Sequence, residues 1–238
     1  MGGVLAAATE ALLPGMCPHC DLPLAGDDRG LCGACWAMVI PHAGASCPKC
    51  GRPVDEASEP CLGCVRSTPP QSATVIWGEH DGALRSAILA LKHGGRDDLA
   101  DPLAFRLAAA VGATPWAASL DVVSWVPSHA VRRFRRPFSA PRLLSAGVAR
   151  RLDVAHRKTL ARHGLGRQAQ RTRARRLELS ARSFSAGRFA GRPKVLLVDD
   201  VMTTGATIRR AAAALLEAGA SAVFGACLAA TPPPRRLT

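Results

Sequence analysis

Two groups of residues in this sequence have types and spacings suited to chemistry. One is the string KVLLVDDVMTTGAT, Lys194 to Thr207. Four apolar residues run into Asp199 and Asp200, two adjacent carboxylates that repel each other unless something binds them. Thr203, Thr204, Gly205 and Thr207 follow at once and lead into a helical pattern. In open α/β sheets ligands sit beyond the carboxyl ends of the strands. A helix N-terminus there offers free N–H groups and a dipole that favour phosphate, and Gly205 permits close backbone approach. Carboxylates at one end and a phosphate cradle at the other suit a ribose 5-phosphate: the acids accept from the ring hydroxyls and Val201 to Thr207 hold the phosphate. Taken alone, the acid pair would equally suit magnesium.

The second group is eight of the nine cysteines, which form four C-x-x-C pairs: 17/20, 32/35, 47/50 and 61/64. Each pair can aim two sulfurs at one point, and two pairs complete the tetrahedral four-sulfur site that zinc prefers. The simplest pairing is local, with Cys17, Cys20, Cys32 and Cys35 in one site and Cys47, Cys50, Cys61 and Cys64 in the other. An interleaved pairing is the alternative. Disulfides are a weak competitor at this spacing in a chain read as cytoplasmic. His19 and His42 lie nearby but are not needed as ligands. Cys227, alone in AVFGACLAA, reads as a core residue.

The elements that must position these groups follow from periodicity. The cysteine-rich segment, residues 1–66, reads as a zinc-ribbon module, with a short helix ahead of Cys17. RSTPPQSAT, Arg66 to Thr74, has linker chemistry. Residues 74–238 then alternate apolar strands with helical patterns, which implies a mainly parallel sheet flanked by helices. ALRSAILALKHGG, DDLADPLAFRLAAAVG, SAPRLLSAGVARRLDV and TIRRAAAALLEAGA are the helices. LDVVSWVP, KVLLVDD and AVFGACLAAT are strands, and an apolar patch, ATVIWGEHDG, opens the domain.

The formal net charge is +13 and hydrophobic residues make up 48% of the chain, which excludes a globally disordered protein and suggests a polyanionic partner. From Arg132 to Arg176 there are fourteen arginines and one lysine against a single acid, Asp153. More cations than one pyrophosphate needs could cover single-stranded nucleic acid through its phosphates. Few aromatic residues accompany them, which favours backbone contacts over base reading. No apolar run approaches the roughly 18 residues that span a bilayer. The N-terminal stretch lacks a basic lead and contains Glu10 and Pro14, so a cytoplasmic protein is expected.

The string D-D-V-x-T-T-G-x-T resembles the phosphoribosyl-diphosphate (PRPP) motif of type I phosphoribosyltransferases. Joined to cysteine knuckles, it is similar to the ComF family of competence-associated proteins. GALRSAILALKHGG resembles that family's LKxGG region, and VPSH, Val126 to His129, its V-P-x-H/P loop. The resemblance implies a type I phosphoribosyltransferase-like sheet behind a double zinc ribbon. It places Asp199 and Asp200 on the ribose hydroxyls and the residues Val201, Met202, Thr203, Thr204, Gly205, Ala206 and Thr207 on the 5-phosphate. Ser128 and His129, with Arg132, would lie near pyrophosphate and magnesium, and Lys92 on a phosphate. It implies zinc and Mg2+ with PRPP as cofactor and ligand, pentosyl transfer to an acceptor, and a link to DNA uptake. The chain departs from the family at RRPFSA, where R-G-F-N-Q is usual, and at RQAQRTRARR, which keeps Gln168 but loses the glycine and serine of Q-x-G-L-S. Those departures favour an alternative: a PRPP- or nucleotide-binding module without turnover, which engages single-stranded DNA and a competence helicase.

Overall fold

The computed structural model describes residues 15–26, 28–54, 59–127, 139–163 and 183–231. The helix expected ahead of Cys17, the Ser128–His129 loop with Arg132, and the Gln168 segment lie outside the described residues.

Two similar knuckles open the chain. The Cys17 amide donates to the Leu22 carbonyl and the Asp21 amide to the Cys17 carbonyl; thirty residues on, Cys47 pairs likewise with Arg52 and Gly51 with Cys47. Asp21 and Gly51 take the same left-handed conformation (φ 57° and 70°). Each knuckle is completed by a short helix beginning just after a cysteine, α1 at Gly33–Ala37 and α2 at Leu62–Arg66.

The main body is a five-stranded sheet. Its strands are β1 (Ala73–Glu79), β2 (Val122–Trp125), β3 (Ala155–His156), β6 (Lys194–Met202) and β7 (Ala222–Ala230). The order is β1-β7-β6-β2-β3, and every pairing is parallel. Such a sheet must be covered on both faces, so its central strands carry continuous apolar runs. Val195 to Val198 of β6 and eight of the nine residues of β7 are buried. The helices α3 (Gly82–His93), α4 (Ala100–Gly112) and α5 (Ala140–Leu152) pack in one core with Leu196, Val198, Phe224 and Leu228. On α3 the buried positions are 83, 84, 87, 88 and 91, the spacing of one helical face. α6 (Ala206–Glu217) packs in a second core with Val195, Leu197 and Cys227. It shares that core with a short antiparallel pair, β4 (Leu160–Arg162) and β5 (Phe184–Ala186).

The ribbons are not a separate bead. Pro41 bridges Gly78 in antiparallel sense, and the His42 amide donates to the Trp77 carbonyl (2.7 Å). The ribbon thereby covers the open edge of β1, which would otherwise offer unpaired backbone groups. Cys17, Leu31, Cys32 and Cys35 belong to the same core as α3–α5. Arg106 lies 3.5 Å over the Trp36 ring, and Arg96 donates to the Met16 carbonyl (2.6 Å). The expected linker is tied down too. Gln71 is 2% exposed and bonds Thr74 Oγ1, and the Ser72 amide donates to the Val223 carbonyl. That backbone bond continues the β1–β7 pairing one residue ahead of β1. Among the described residues no helix is long and apolar enough to cross a membrane.

Candidate functional site

Because all five strands run parallel, their carboxyl ends share one edge. β6 delivers Asp199 and Asp200 there, β1 delivers Glu79 and His80, and β2 delivers Val126 and Pro127. The Val126 amide donates to the Val198 carbonyl, and the His80 amide to the Ala230 carbonyl (2.8 Å). The end of β2 is therefore held to β6, and the end of β1 to β7, along the edge where the acids emerge.

Adjacent residues on a strand face opposite sides, and the two acids have different surroundings. Asp200, 8% exposed, pairs with Lys92 from the last turn of α3 at 2.7 Å. Asp199 sits in register with Cys227 of β7. Burial first, and the Asp200 charge second, raise the Asp199 carboxyl to about 8, against the opposing pull of the Asp200 amide, Lys92 and Arg162. Burial first, then the charges of Asp199 and Asp200 on the neighbouring strand, push the Cys227 thiol well up, so it stays neutral. Each acid also turns back on its own chain: the Asp200 amide donates to Asp199 Oδ1 (2.9 Å) and the Val201 amide to Asp200 Oδ1 (2.7 Å). His80 stands close enough to feel the cluster. Burial, then Lys92 and Arg85, lower its pKa against the attraction of Asp200 and Asp81. Its Nε2 is buried and has no hydrogen-bond partner among the described residues.

After the acids the chain stays in β6 for two residues. Val201 is half-buried, while Met202 is 3% exposed and its carbonyl accepts from the Thr231 amide. These two hold the loop up from beneath. Thr203 and Thr204 are exposed, and Gly205 takes a left-handed conformation (φ 77°) that starts α6. The Ala206 amide donates to Thr204 Oγ1 (3.3 Å). The next amides, of Thr207 and Ile208, open the helix and have no carbonyl partner within it. The loop therefore has the shape of an anion cradle.

The eight paired cysteines form two four-cysteine sites with the local pairing: 17/20/32/35 and 47/50/61/64, each with its sulfurs within 4.8 Å of one another. The Cys20–Cys32 and Cys50–Cys61 sulfur distances are both 3.7 Å, close to the ~3.8 Å edge of a tetrahedron with Zn–S bonds of about 2.3 Å. Burial raises Cys17 and Cys47, but backbone amides of Cys32, Cys20 and His19 around the first, and of Cys50, Cys61 and Lys49 around the second, outweigh it. They bring both to about 6. The donor sets fit structural zinc. His19 and His42 are not ligands: His19 bonds Ser86 Oγ of α3 and His42 the Ala45 carbonyl.

The structure thus brings Lys92, Asp199, Asp200 and the 203–207 loop together, while Ser128 and His129 fall outside the described residues. Three neighbours have no signature in the motif strings. His80 follows β1, which β7 separates from β6, and at this shared edge the charge of Asp200 still reaches it. Arg162 of β4 donates to the Pro127 carbonyl (3.3 Å) and adds positive charge near Asp199. Arg52, beside a cysteine knuckle, donates from Nη2 to the Thr203 carbonyl across 151 residues.

A double zinc ribbon with two four-cysteine sites, joined to a phosphoribosyltransferase-type parallel sheet, is the class of protein this architecture defines. The double zinc ribbon domain matches over residues 8–65 and the phosphoribosyl transferase domain over residues 146–237. The chain is 31% identical over 233 residues to the DNA utilization protein YhgH of Salmonella typhi, covering 92% of this chain and 98% of that one. The same figures hold for YhgH of Escherichia coli K12. It is 27% identical over 214 residues to competence protein F of Haemophilus influenzae, covering 85% of this chain and 91% of that one. It belongs with these proteins to the ComF family. Among solved structures it resembles the glutamine PRPP amidotransferase of B. subtilis complexed with ADP and GMP, at 22% identity and a TM-score of 0.44. That match covers 59% of this chain and 30% of the amidotransferase.

Proposed function

We propose that the chain binds magnesium-PRPP at the carboxyl end of β6 and transfers its phosphoribosyl group to an acceptor, in a cytoplasmic process that handles incoming DNA. The observation that carries this reading is the continuous run from Asp199 to Thr207. It sets two carboxylates, one of them paired with Lys92 at 2.7 Å, directly ahead of a left-handed glycine and a helix N-terminus. In this reading Asp199 and Asp200 accept bonds from the ribose hydroxyls, and the loop amides and threonine hydroxyls hold the 5-phosphate. Magnesium, when bound with the ligand, neutralises charge on the pyrophosphate. The bond from C1 to the pyrophosphate oxygen breaks, the acceptor's lone pair bonds C1, and the acceptor's proton passes to a carboxylate of the pair or to solvent. The protein's contribution is positioning and fixed charge. Ser128 and His129 attend the pyrophosphate. The names of the YhgH and competence relatives support the link to DNA.

The second reading keeps PRPP as a bound ligand without turnover, with the arginine band on single-stranded DNA and a competence helicase as partner. The sequence RRPFSA, in place of R-G-F-N-Q, favours it. Following pyrophosphate release from magnesium-PRPP, in the presence of nucleobases, amines and single-stranded DNA, separates the two. The transferase reading predicts acceptor-dependent release that Asp200→Asn lowers at least about a hundredfold, the loss typical of removing a charge-stabilising group. PRPP that binds yet stays intact with every acceptor would favour the second reading.

A further inference from the structure

Resting on the reading of the 203–207 loop as a phosphate cradle, we propose that Arg52 of the second zinc knuckle is a further ligand-binding residue, contributing a guanidinium to the 5-phosphate.

The loop itself is short of cations. Between Asp199 and Ile208 there is no lysine or arginine. The ammonium of Lys92 is held 2.7 Å from Asp200, on the acid side of the site, and the next basic residues, Arg209 and Arg210, lie a full turn into α6. A phosphate bound by amides and hydroxyls alone would keep most of its charge uncompensated. Arg52 supplies what is missing. Its Nη2 already donates to the Thr203 carbonyl, which places the guanidinium at the first residue of the cradle. One carbonyl uses one of five guanidinium donors. Among the described residues no carboxylate pairs with Arg52, whereas Arg96, Arg150 and Arg151 all have one. A planar fork of N–H groups is the side chain best matched to phosphate.

The backbone that carries Arg52 is fixed by the metal site. Its carbonyl accepts from the amide of Cys47, and Ser46 bridges Pro53 across the knuckle. The residue before it, Gly51, lies so close to β1 that a Cβ there would be 2.3 Å from the Thr74 carbonyl oxygen. The knuckle is therefore seated against β1 in a position from which the Arg52 side chain reaches the Thr203 carbonyl, just beyond β6. Zinc at Cys47, Cys50, Cys61 and Cys64 then does more than hold the ribbon together. It holds a ligand group in register with a loop of the other domain, so filling that metal site and filling the cradle favour each other.

The test is a calorimetric titration of ribose 5-phosphate, and in parallel of magnesium-PRPP, into the full-length zinc-loaded protein. Wild type is run beside Arg52→Ala, Arg52→Gln and Arg52→Lys, with Asp199→Asn/Asp200→Asn as a check on the site itself. Loss of a charge-assisted, forked contact predicts about tenfold to a hundredfold weaker binding of both ligands to the Ala and Gln variants. The Lys variant falls between, and zinc content and melting temperature stay at wild-type values. Ala and Gln variants that bind like wild type, while the double aspartate variant has lost binding, would overturn the role of Arg52 and leave the site standing. A loss that comes with lost zinc or a lower melting temperature would make Arg52 structural and overturn it as well. Wild-type protein that binds neither ligand would overturn both the inference and the reading beneath it.

Discussion

Asp199 binds its proton more tightly than an ordinary aspartate does, because burial and the neighbouring Asp200 charge disfavour its ionised form. In an unfolded chain the group titrates near 3.9; in the fold, burial and the neighbouring Asp200 raise it to about 8. A carboxyl with a raised folded pKa binds its proton more tightly when folded. Its support for folding is complete below about pH 4 and is lost as pH rises through about 8. Asp199→Asn removes this dependence while keeping the shape. Its melting temperature is expected to exceed that of wild type by several degrees more at pH 8 than at pH 4.5, read by parallel calorimetric scans. An equal difference at both pH values would show that Asp199 is not held protonated. The strain has a functional sense: a carboxylate that is costly alone becomes favourable once ligand hydroxyls or a cation arrive to meet it.

At the scale of elements, the critical contact is the seat of the second knuckle on β1. Gly51 has φ 70° and no room for a Cβ beside the Thr74 carbonyl, so Gly51→Ala is strained both in conformation and in space. A loss of about 2 kcal/mol or more is expected, from the left-handed backbone and the clash together, measured by denaturant unfolding. Gly26→Ala, also left-handed (φ 58°) but with nothing within 4 Å, is the control for conformation alone and should lose about 1 kcal/mol. Similar losses in both would deny the knuckle its seat. The same scale shows what was legible in the amino-acid sequence. β6 and β7 could be read because central parallel strands are apolar on both faces, and α3 and α6 because each keeps one apolar stripe and is bounded by glycine. The local pairing of the cysteines was open and was decided by chain geometry. The neighbourhood of His80, Arg162 and Arg52 with the acids could not be read. Each depends on strand order or on docking between segments far apart in the chain, and local periodicity carries neither. The hold on Gln71 and Ser72 at the end of the linker-like stretch has a related cause: composition describes solvent exposure and says nothing of a neighbouring strand such as β7.

At the scale of the whole molecule, a double zinc ribbon pairs with the edge strand of a parallel sheet at Trp77 and Gly78 and touches the loop after β6 through Arg52. The chain carries a net charge of +13, which suits a phosphorylated ligand and, in the second reading, a nucleic-acid backbone bound in a salt-dependent way. Both readings need the same site, where ribbon, sheet edge and helix N-terminus meet around Asp199 and Asp200. The most direct measurement is therefore calorimetric titration of magnesium-PRPP into wild type and into Asp199→Asn/Asp200→Asn. Saturable binding by wild type, weakened at least about a hundredfold in the double variant, is the predicted result. No binding by wild type, or equal binding by both proteins, would contradict the placement of the ligand at the carboxyl end of β6.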